Sequence, residues 1–346
     1  MNQPVDNRAA RDEYYHRIAT KQLTPLWEAL SALVPERPRS PCVPHLWRYD
    51  DVRPWLLESG QLITAREAVR RVLILENPGI PGGSAITQSL YAGLQLILPG
   101  EVAPSHRHTQ TALRLIVEGS RAYTAVDGER VHMHPGDFII TPSWTWHDHG
   151  SEADGPVVWL DGLDIPLVRF FDCGFAENNP LETPPVLRPE GDAAARYGVN
   201  LLPVDFVPSH SSSPLFAYPY ARSREALDRL VRAGDPDPWH GYLMQFINPS
   251  TGGPAMPTMA AFIRWLPRGF SGRDYRATDG TVFQVIEGRG ECVMGDQRLA
   301  FGPRDTFVVP SWTTHRFTAS DDAVLFSFSD RPVQRALSLW REQRLD

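Results

Sequence analysis

The chain has 346 residues, of which 42% are hydrophobic and 22% charged, and its formal net charge is −7. This length exceeds that of a common single domain, so we expect two core domains with extensions. The acidic balance, without a run of Lys or Arg, argues against nucleic acid and anionic membranes as partners.

Helical patterns occupy the beginning of the chain. Apolar residues recur at three- and four-residue steps over 8–34, and a second helical stretch runs from 49 to about 65. We therefore predict an N-terminal helical arm over residues 1–71. From residue 72 the pattern changes to short β-rich runs between Gly and Pro, which predicts a sandwich or barrel over residues 72–176. These runs are 72–75, 88–98, 112–117, 121–126, 138–141 and 157–160.

The second half of the chain repeats the first. Residues 177–240, rich in Pro, Ser and charge, are predicted to be a linker with a short helix at 223–233. Residues 303–315 then match residues 135–147 at seven of thirteen positions. A repeat this clear indicates a second copy of the same barrel, over residues 241–331. A terminal helix is predicted within residues 332–346.

Three histidines of the first copy form a candidate metal site. His106 and His108 stand two residues apart on a predicted strand and therefore project from one face. His147 follows 39 residues after His108 and can complete the ligand set. Three neutral imidazoles suit Fe, Zn, Cu or Ni and leave coordination positions open. Because no Asp or Glu follows His108 within nine residues, the metal would keep its full charge and favour an anionic, chelating substrate.

The residues around these histidines resemble a known family. Gly100, Gly136 and Pro142 stand at the spacing of the cupin signature, with Trp144 where a glycine is usual and without the glutamate ligand. The strings 93–100, 106–114 and 142–149 strongly resemble the gentisate 1,2-dioxygenase family. The resemblance implies a mainly β bicupin, with two double-stranded β-helix (jelly-roll) barrels and an N-terminal helical extension. It also implies one Fe(II) per chain, cleavage of gentisate by O2 to maleylpyruvate, and a homotetramer.

The resemblance also assigns roles to individual residues. It implies a metal bound by His106, His108 and His147, and catalytic roles for His149, Arg114 and Asp161. It implies substrate contacts for Arg70, Tyr91, Gly93, Gln95, Arg114, Trp144 and His149. The Arg114 guanidinium can hold a carboxylate in bidentate geometry, His149 suits a hydrogen bond to a substrate hydroxyl, and Asp161 can orient a ligand histidine. A slip of one residue would exchange Arg70 for Arg71.

The second copy has lost most of the metal site. Tyr275 and Ala277 stand where His106 and His108 stand in the first copy, and only His315 remains. We therefore expect 72–176 to be the metal-binding, catalytic cupin and 241–331 a degenerate, structural one. Two alternatives stay open: a dioxygenase of the same family acting on salicylate or 1-hydroxy-2-naphthoate, and a non-enzymatic ligand-binding bicupin.

Composition also bears on the compartment. No segment is long and apolar enough to span a membrane, and the first eight residues lack the apolar core of a secretory signal. The three cysteines are widely spaced without a CxxC pattern, which is typical of free thiols in a reducing compartment. These features predict a cytoplasmic protein.

Overall fold

The computed structural model describes residues 7–346 and separates into two compact units, one up to Arg39 and one from Ser40 to Asp346. The first unit contains helices α1 (Arg8–Ala19) and α2 (Leu26–Leu33). The single helical stretch expected over 8–34 is therefore interrupted, because Pro25 lacks a backbone N–H and sits instead at the N-cap of α2. Among residues 7–346, no helix combines the length and apolar character needed to cross a membrane.

The first half of the larger unit runs from strand β1 to helix α5. Its elements in chain order are β1 (His45–Trp47), α3 (Tyr49–Leu62), α4 (Ala65–Ala68), β2 (Val72–Ile74), β3 (Tyr91–Ile97), β4 (Val102–His108), β5 (Ala112–Glu118), β6 (Ala122–Val126), β7 (Glu129–His132), β8 (Phe138–Thr141), β9 (His147–Ser151), β10 (Val157–Leu163) and α5 (Ile165–Phe170).

A connecting segment follows, with β11 (Ala176–Asn178) and α6 (Asp192–Tyr197). The second half then repeats the plan of the first, and its elements are β12 (Ala217–Tyr218), α7 (Tyr220–Ala233), β13 (Tyr242–Gln245), β14 (Ala260–Leu266), β15 (Tyr275–Ala277), β16 (Thr281–Glu287), β17 (Gly290–Met294), β18 (Gln297–Phe301), β19 (Thr306–Val309), β20 (Arg316–Ala319), β21 (Ala323–Ser329), α8 (Arg331–Ala336) and β22 (Glu342–Arg344).

Antiparallel sheets form two barrels, so the expected mainly β bicupin is confirmed. The first barrel has a six-stranded sheet, β12-β8-β5-β10-β3-β2, and a five-stranded sheet, β11-β4-β9-β6-β7. The second has a six-stranded sheet, β1-β19-β16-β21-β14-β13, with the smaller sheets β18-β17-β20 and β15-β22. Buried side chains of both six-stranded sheets join in one core, where the Phe138 and Phe326 rings lie 5.2 Å apart.

The two halves exchange their first strands. β1 precedes the first barrel along the chain but pairs with β19 of the second, while β12 precedes the second barrel and pairs with β8 of the first. The helices that follow, α3 and α7, begin with Tyr49 and Tyr220, whose hydroxyls donate to Glu118 and Glu287. The segment that was predicted as linker and short helix therefore includes, from residue 217 to 233, the first elements of the second copy.

The C-terminus departs from its predicted helix. The helix α8 ends at Ala336, and Ser338 follows with a φ of +59°. A left-handed residue at this position terminates a helix. Glu342–Arg344 then pair with β15, which is an edge strand with free backbone groups to satisfy.

Candidate metal centre and substrate pocket

Three histidine rings converge inside the first barrel. His106 and His108 lie two residues apart on β4, and His147 begins β9, where it is the cross-strand partner of His106. The ring centroids of His106 and His147 are 4.6 Å apart, those of His108 and His147 are 4.9 Å apart, and those of His106 and His108 are 5.3 Å apart. One nitrogen from each ring lies within 4.8 Å of the others. The period-two alternation of β4 therefore produces the cluster that the sequence predicted.

The hydrogen bonds of these rings fit a bound metal. The Nδ1 of His108 donates to the Gln110 carbonyl at 2.8 Å, and the Nδ1 of His147 donates to the Thr145 carbonyl at 2.9 Å. Because a carbonyl can only accept, the proton is on Nδ1 and the lone pair is on Nε2. The Nε2 of His147 is buried without a hydrogen-bond partner. A metal ion would satisfy this atom.

Burial keeps the three imidazoles neutral. Desolvation, with smaller contributions from Arg70 and Arg114, lowers the pKa of His106 to about 2, and burial lowers the pKa of His108 to about 4. The pKa of His147 falls well below its ordinary value for the same reason. Neutral imidazole is the form that ligates metals, so the rings do not have to lose a proton first.

Arg114 is buried beside the histidines and paired across the sheet. It lies on β5 directly opposite Asp161 of β10, with its Nε 3.5 Å from Oδ1 of Asp161. One of its Nη atoms donates to Thr141 at 2.6 Å. Burial raises the pKa of Asp161 to about 6, although Arg114 and the Trp159 N–H act in the opposite direction. Asp161 therefore contacts Arg114 and does not orient a ligand histidine, as the sequence had suggested. The rings of His108 and His147 are oriented by backbone carbonyls instead.

Arg70, and not Arg71, lines the pocket. Val69 ends α4 with a φ of +59°, and the two following arginines point in different directions. The Arg71 guanidinium binds Glu101. Arg70 donates to the carbonyl of Pro104 at 3.0 Å, and its Nη2 is buried without a partner. Burial and the neighbouring Arg114 lower the pKa of Arg70 to about 9, so the group still carries its charge near neutral pH.

The cavity formed by these residues, the metal pocket, has a volume of about 200 Å³. For comparison, an apolar cavity of roughly 150 Å³ accommodates benzene, so one substituted ring fits here. The lining combines predicted and unpredicted residues. The predicted ones are Arg70, Tyr91, Gln95, His106, His108, Arg114, His147 and Asp161; the apolar wall, which no motif marked, is Val72, Ala112, Leu163 and Ile165.

Three predicted residues lie outside this lining. A Cβ on Gly93 would lie 2.4 Å from Val72 and 3.0 Å from the Tyr91 hydroxyl, so the glycine makes room for both pocket residues. His149 is fully buried behind His147, with Nδ1 2.8 Å from the Thr124 hydroxyl and Nε2 without a partner. Trp144 packs its ring 4.4 Å from that of Phe175 and does not reach the metal pocket.

The second barrel does not reproduce the histidine cluster. Tyr275 takes the position of His106, and its hydroxyl donates to Glu342 at 2.9 Å. His315 keeps the orientation of His147, with Nδ1 bonded to the Thr313 carbonyl at 3.0 Å. Within residues 7–346, the group of His106, His108 and His147 is the one found with metal-site geometry.

Fold and site together define a bicupin with a three-histidine group suited to a metal ion in its first barrel. The model of the cupin domain matches residues 93–163 and 262–328, one segment in each barrel. Gentisate 1,2-dioxygenase 1 from Aquipseudomonas alcaligenes is 55% identical over 96% of both chains. A 5-aminosalicylate 1,2-dioxygenase from Comamonas sp. is 36% identical over 99% of this chain and 92% of the relative. Salicylate 1,2-dioxygenase from Pseudoaminobacter salicylatoxidans, solved with gentisate, is 35% identical with a TM-score of 0.92, covering 99% of this chain and 95% of that one.

The chain belongs to the gentisate 1,2-dioxygenase family of ring-cleaving cupin dioxygenases. The resemblance to this family in segments 93–100, 106–114 and 142–149 is therefore confirmed. The prediction that the protein is an enzyme is confirmed with it.

Proposed function

We propose that this protein cleaves gentisate with O2, between the ring carbons that bear the carboxylate and the neighbouring hydroxyl, to give maleylpyruvate. One observation carries the proposal: Arg70 and Arg114, each with a buried guanidinium nitrogen that has no hydrogen-bond partner, flank a three-histidine centre in a cavity that fits one ring. An ortho-hydroxy carboxylate matches this arrangement, because the arginines complement the anion while its two oxygens can chelate a metal.

The cofactor of the proposal is one Fe(II) per chain, held by His106, His108 and His147. Iron bound there would supply a Lewis acid with redox activity and open coordination positions for the substrate and O2. With neutral ligands only, the centre keeps a double positive charge that favours an anionic substrate. The 72–176 barrel is accordingly assigned the chemistry, and the 241–331 barrel is assigned a structural role.

The pocket residues bind and orient the ring. Arg114, positioned by Asp161 and Thr141, is assigned to the substrate carboxylate. Arg70 contributes a second positive charge, and the buried amide of Gln95 can hydrogen-bond a ring hydroxyl. Tyr91 lines one side of the pocket, where the missing side chain of Gly93 leaves room for its hydroxyl. The apolar side chains opposite exclude bulk water, which strengthens each of these polar contacts.

The remaining predicted residues act through their neighbours. His149 and Thr124 form a buried pair behind His147, and His149 is assigned to proton handling at the substrate hydroxyl. Trp144 donates its backbone N–H to the His108 carbonyl at 2.8 Å, so its influence on the centre passes through the position of β4. The homotetramer and the cytoplasmic location that the family resemblance and the composition suggest are part of this proposal.

The test is oxygen uptake by Fe(II)-reconstituted protein with gentisate, salicylate and 1-hydroxy-2-naphthoate side by side. We expect rapid uptake with gentisate and little with salicylate, because the second hydroxyl of gentisate donates electron density to the ring. Comparable kcat/KM values for both acids would move the protein to the salicylate-cleaving members of the family. Absence of uptake with all three would favour a ligand-binding bicupin.

Metal analysis tests the assignment of the iron ligands independently of turnover. The protein is expected to hold one iron per chain, His108→Ala is expected to abolish binding, and His315→Ala is expected to leave the iron content unchanged. Two tightly held irons per chain would contradict the loss of the second site at Tyr275 and Ala277.

A further inference from the structure

The second barrel has its own cavity at the place that corresponds to the metal pocket. In the first barrel Asp161 lies opposite both Gly93 and Arg114. In the second, Ser327 lies opposite both Phe262 and Phe283. This shared register aligns Phe283 with Arg114 and Arg264 with Gln95. The second barrel has therefore lost the pair of Arg114 and Asp161 but has gained a guanidinium on the neighbouring strand.

Arg264 is a buried cation that receives neither an ion pair nor a hydrogen bond from the described residues. The residue is 6% exposed, and both its Nε and one Nη are buried with no hydrogen bond. Among residues 7–346, no carboxylate lies within ion-pair distance of it. Its guanidinium lies over the rings of Phe317 and Phe283, at 4.6 Å and 5.6 Å from their centroids. Burying a charge that is neither paired nor hydrogen-bonded is energetically unfavourable. An anion bound beside Arg264 would therefore stabilise the folded protein.

The carboxylates around the cavity are already engaged. Asp279 accepts from Arg331 at 3.1 Å and from the Trp340 side chain at 2.8 Å. Glu342 accepts from the Tyr275 hydroxyl. The lining therefore holds two guanidinium groups, Arg264 and Arg331, against the single carboxylate of Asp279. One positive charge remains without compensation.

The other polar groups of the cavity favour an anion over a metal. The position of the missing histidine pair is taken by Tyr275 and Ala277, which leaves His315 without the partners a metal requires. The His240 ring lines the same cavity, and the described residues form no hydrogen bond with it, so it can donate an N–H. A cation would meet two arginines here, whereas an anion would meet unpaired donors.

The size of the cavity limits the class of anion. Its volume is about 30 Å³, and a single water needs at least roughly 10–15 Å³. This admits a monatomic ion or the smallest carboxylate and excludes an aromatic acid. We propose that the second barrel contains a binding site for a small monovalent anion, of the size of chloride or formate, held by the Arg264 guanidinium.

Thermal unfolding tests the proposal with bromide and formate as probes, each replacing gluconate at constant ionic strength because gluconate is too large to enter. Binding to the folded state raises Tm with a saturable dependence on concentration. We expect a rise of about 2 °C or more for the unaltered protein with bromide. Arg264→Met should remove the dependence. Arg268→Met, which changes a 75% exposed arginine of the same barrel, should retain it.

Anomalous diffraction from bromide-soaked crystals of the unaltered protein tests the same point should Arg264→Met fail to fold. A bromine peak within hydrogen-bond distance of the Arg264 guanidinium supports the site. Absence of such a peak, or a bromide response that survives in Arg264→Met, overturns it. A formate response that is lost in Arg264→Met supports the site in the same way, and a formate response that survives in that variant counts against it. None of these measurements depends on ring cleavage.

Discussion

At the scale of single residues, the metal pocket depends on groups that are buried together and that satisfy one another only in part. Arg114 has one hydrogen bond to Thr141 and a longer contact to Asp161, while its Nε remains without a hydrogen bond. Arg70 keeps one Nη atom unpartnered. Donors left unsatisfied in a low-dielectric cavity bind an incoming carboxylate strongly, because no protein acceptor has to be displaced.

The substitution Arg114→Lys tests this assignment. Lysine keeps the charge but loses the planar guanidinium that can bind a carboxylate through two parallel N–H groups. We expect kcat/KM for gentisate to fall by at least about tenfold, since lost hydrogen bonds to a buried charge cost roughly 2–5 kcal/mol. Arg121→Lys, at a 60% exposed arginine, serves as the control and should leave kcat/KM unaltered. If Arg114→Ala turned over gentisate normally, the residue would not contact the substrate.

The sequence predicted these residues to different degrees. The three histidines could be found because strand alternation dictates that His106 and His108 share a face. The apolar wall formed by Val72, Leu163 and Ile165 could not be found in this way. A hydrophobic side chain that faces a pocket gives the same sequence pattern as one that faces the core. The family resemblance implied a substrate contact for Trp144. Its side chain packs on Phe175, a partner from outside the predicted strands.

At the scale of elements, each barrel is attached to the other by an aspartate that follows its last long strand. Asp164, after β10, accepts from the backbone of Thr111 at 2.9 Å and from the hydroxyl of Thr258 at 2.6 Å. Asp330, after β21, accepts in the same way from Gly280 at 3.1 Å and Ser89 at 2.8 Å. Each aspartate thus joins a strand of its own barrel to the segment before the first long strand of the other.

Stability is predicted to depend on the protonation of these aspartates. Burial raises the pKa of Asp164 to about 6 from an ordinary 3.8, against the effect of its hydrogen bonds. The folded state therefore holds the proton more tightly than the unfolded chain, so the stabilisation is complete below pH 3.8 and is lost as the pH rises through about 6. Asn at this position carries no charge. The free energy of unfolding of Asp164→Asn relative to the unaltered protein should consequently rise from pH 4 to pH 8, by up to about 3 kcal/mol.

Urea denaturation at several pH values measures this difference. Asp154→Asn, at a side chain that is 96% exposed, controls for the change in net charge. A difference between Asp164→Asn and the unaltered protein that stays constant from pH 4 to pH 8 would contradict the prediction.

Short elements were the least predictable. The helix expected at 223–233 is present but begins at Tyr220, and the helix expected over 332–346 stops at Ala336. The strands β1, β12 and β22 have two or three residues each, too few to show any periodicity. They exist because the neighbouring barrel strands offer unpaired backbone groups, which is a tertiary property that the local sequence does not encode.

At the scale of the whole molecule, the repeat and the exchange of first strands make the two barrels parts of one structure. The internal repeat could be read from the sequence, because residues 303–315 copy 135–147. The exchange could not, since β1 and β12 pair across barrels that are distant in the chain. The six-stranded sheets share one buried core, in which Phe326 and Phe328 of the second barrel lie with Phe138 and Leu113 of the first. We therefore expect the metal pocket to remain intact only as long as both barrels are folded.

Gly162 of the first barrel packs against Phe328 of the second and provides a direct test of this view. A Cβ there would lie 2.7 Å from Phe328 and 2.9 Å from Leu113, and because both side chains are fully buried they could shift only by disturbing the core around them. Gly162→Ala should destabilise the protein by about 1–3 kcal/mol through overpacking, while Gly155→Ala, where nothing lies within 4 Å, should not. Denaturant unfolding measures the stability of both variants.

Adding Phe328→Leu to Gly162→Ala should recover part of the lost stability, because the smaller side chain leaves room for the new methyl group. A double-mutant cycle would measure that coupling. If the two alanine variants were equally stable, or if the effects of Gly162→Ala and Phe328→Leu were additive, the barrels would not be packed against each other at this point.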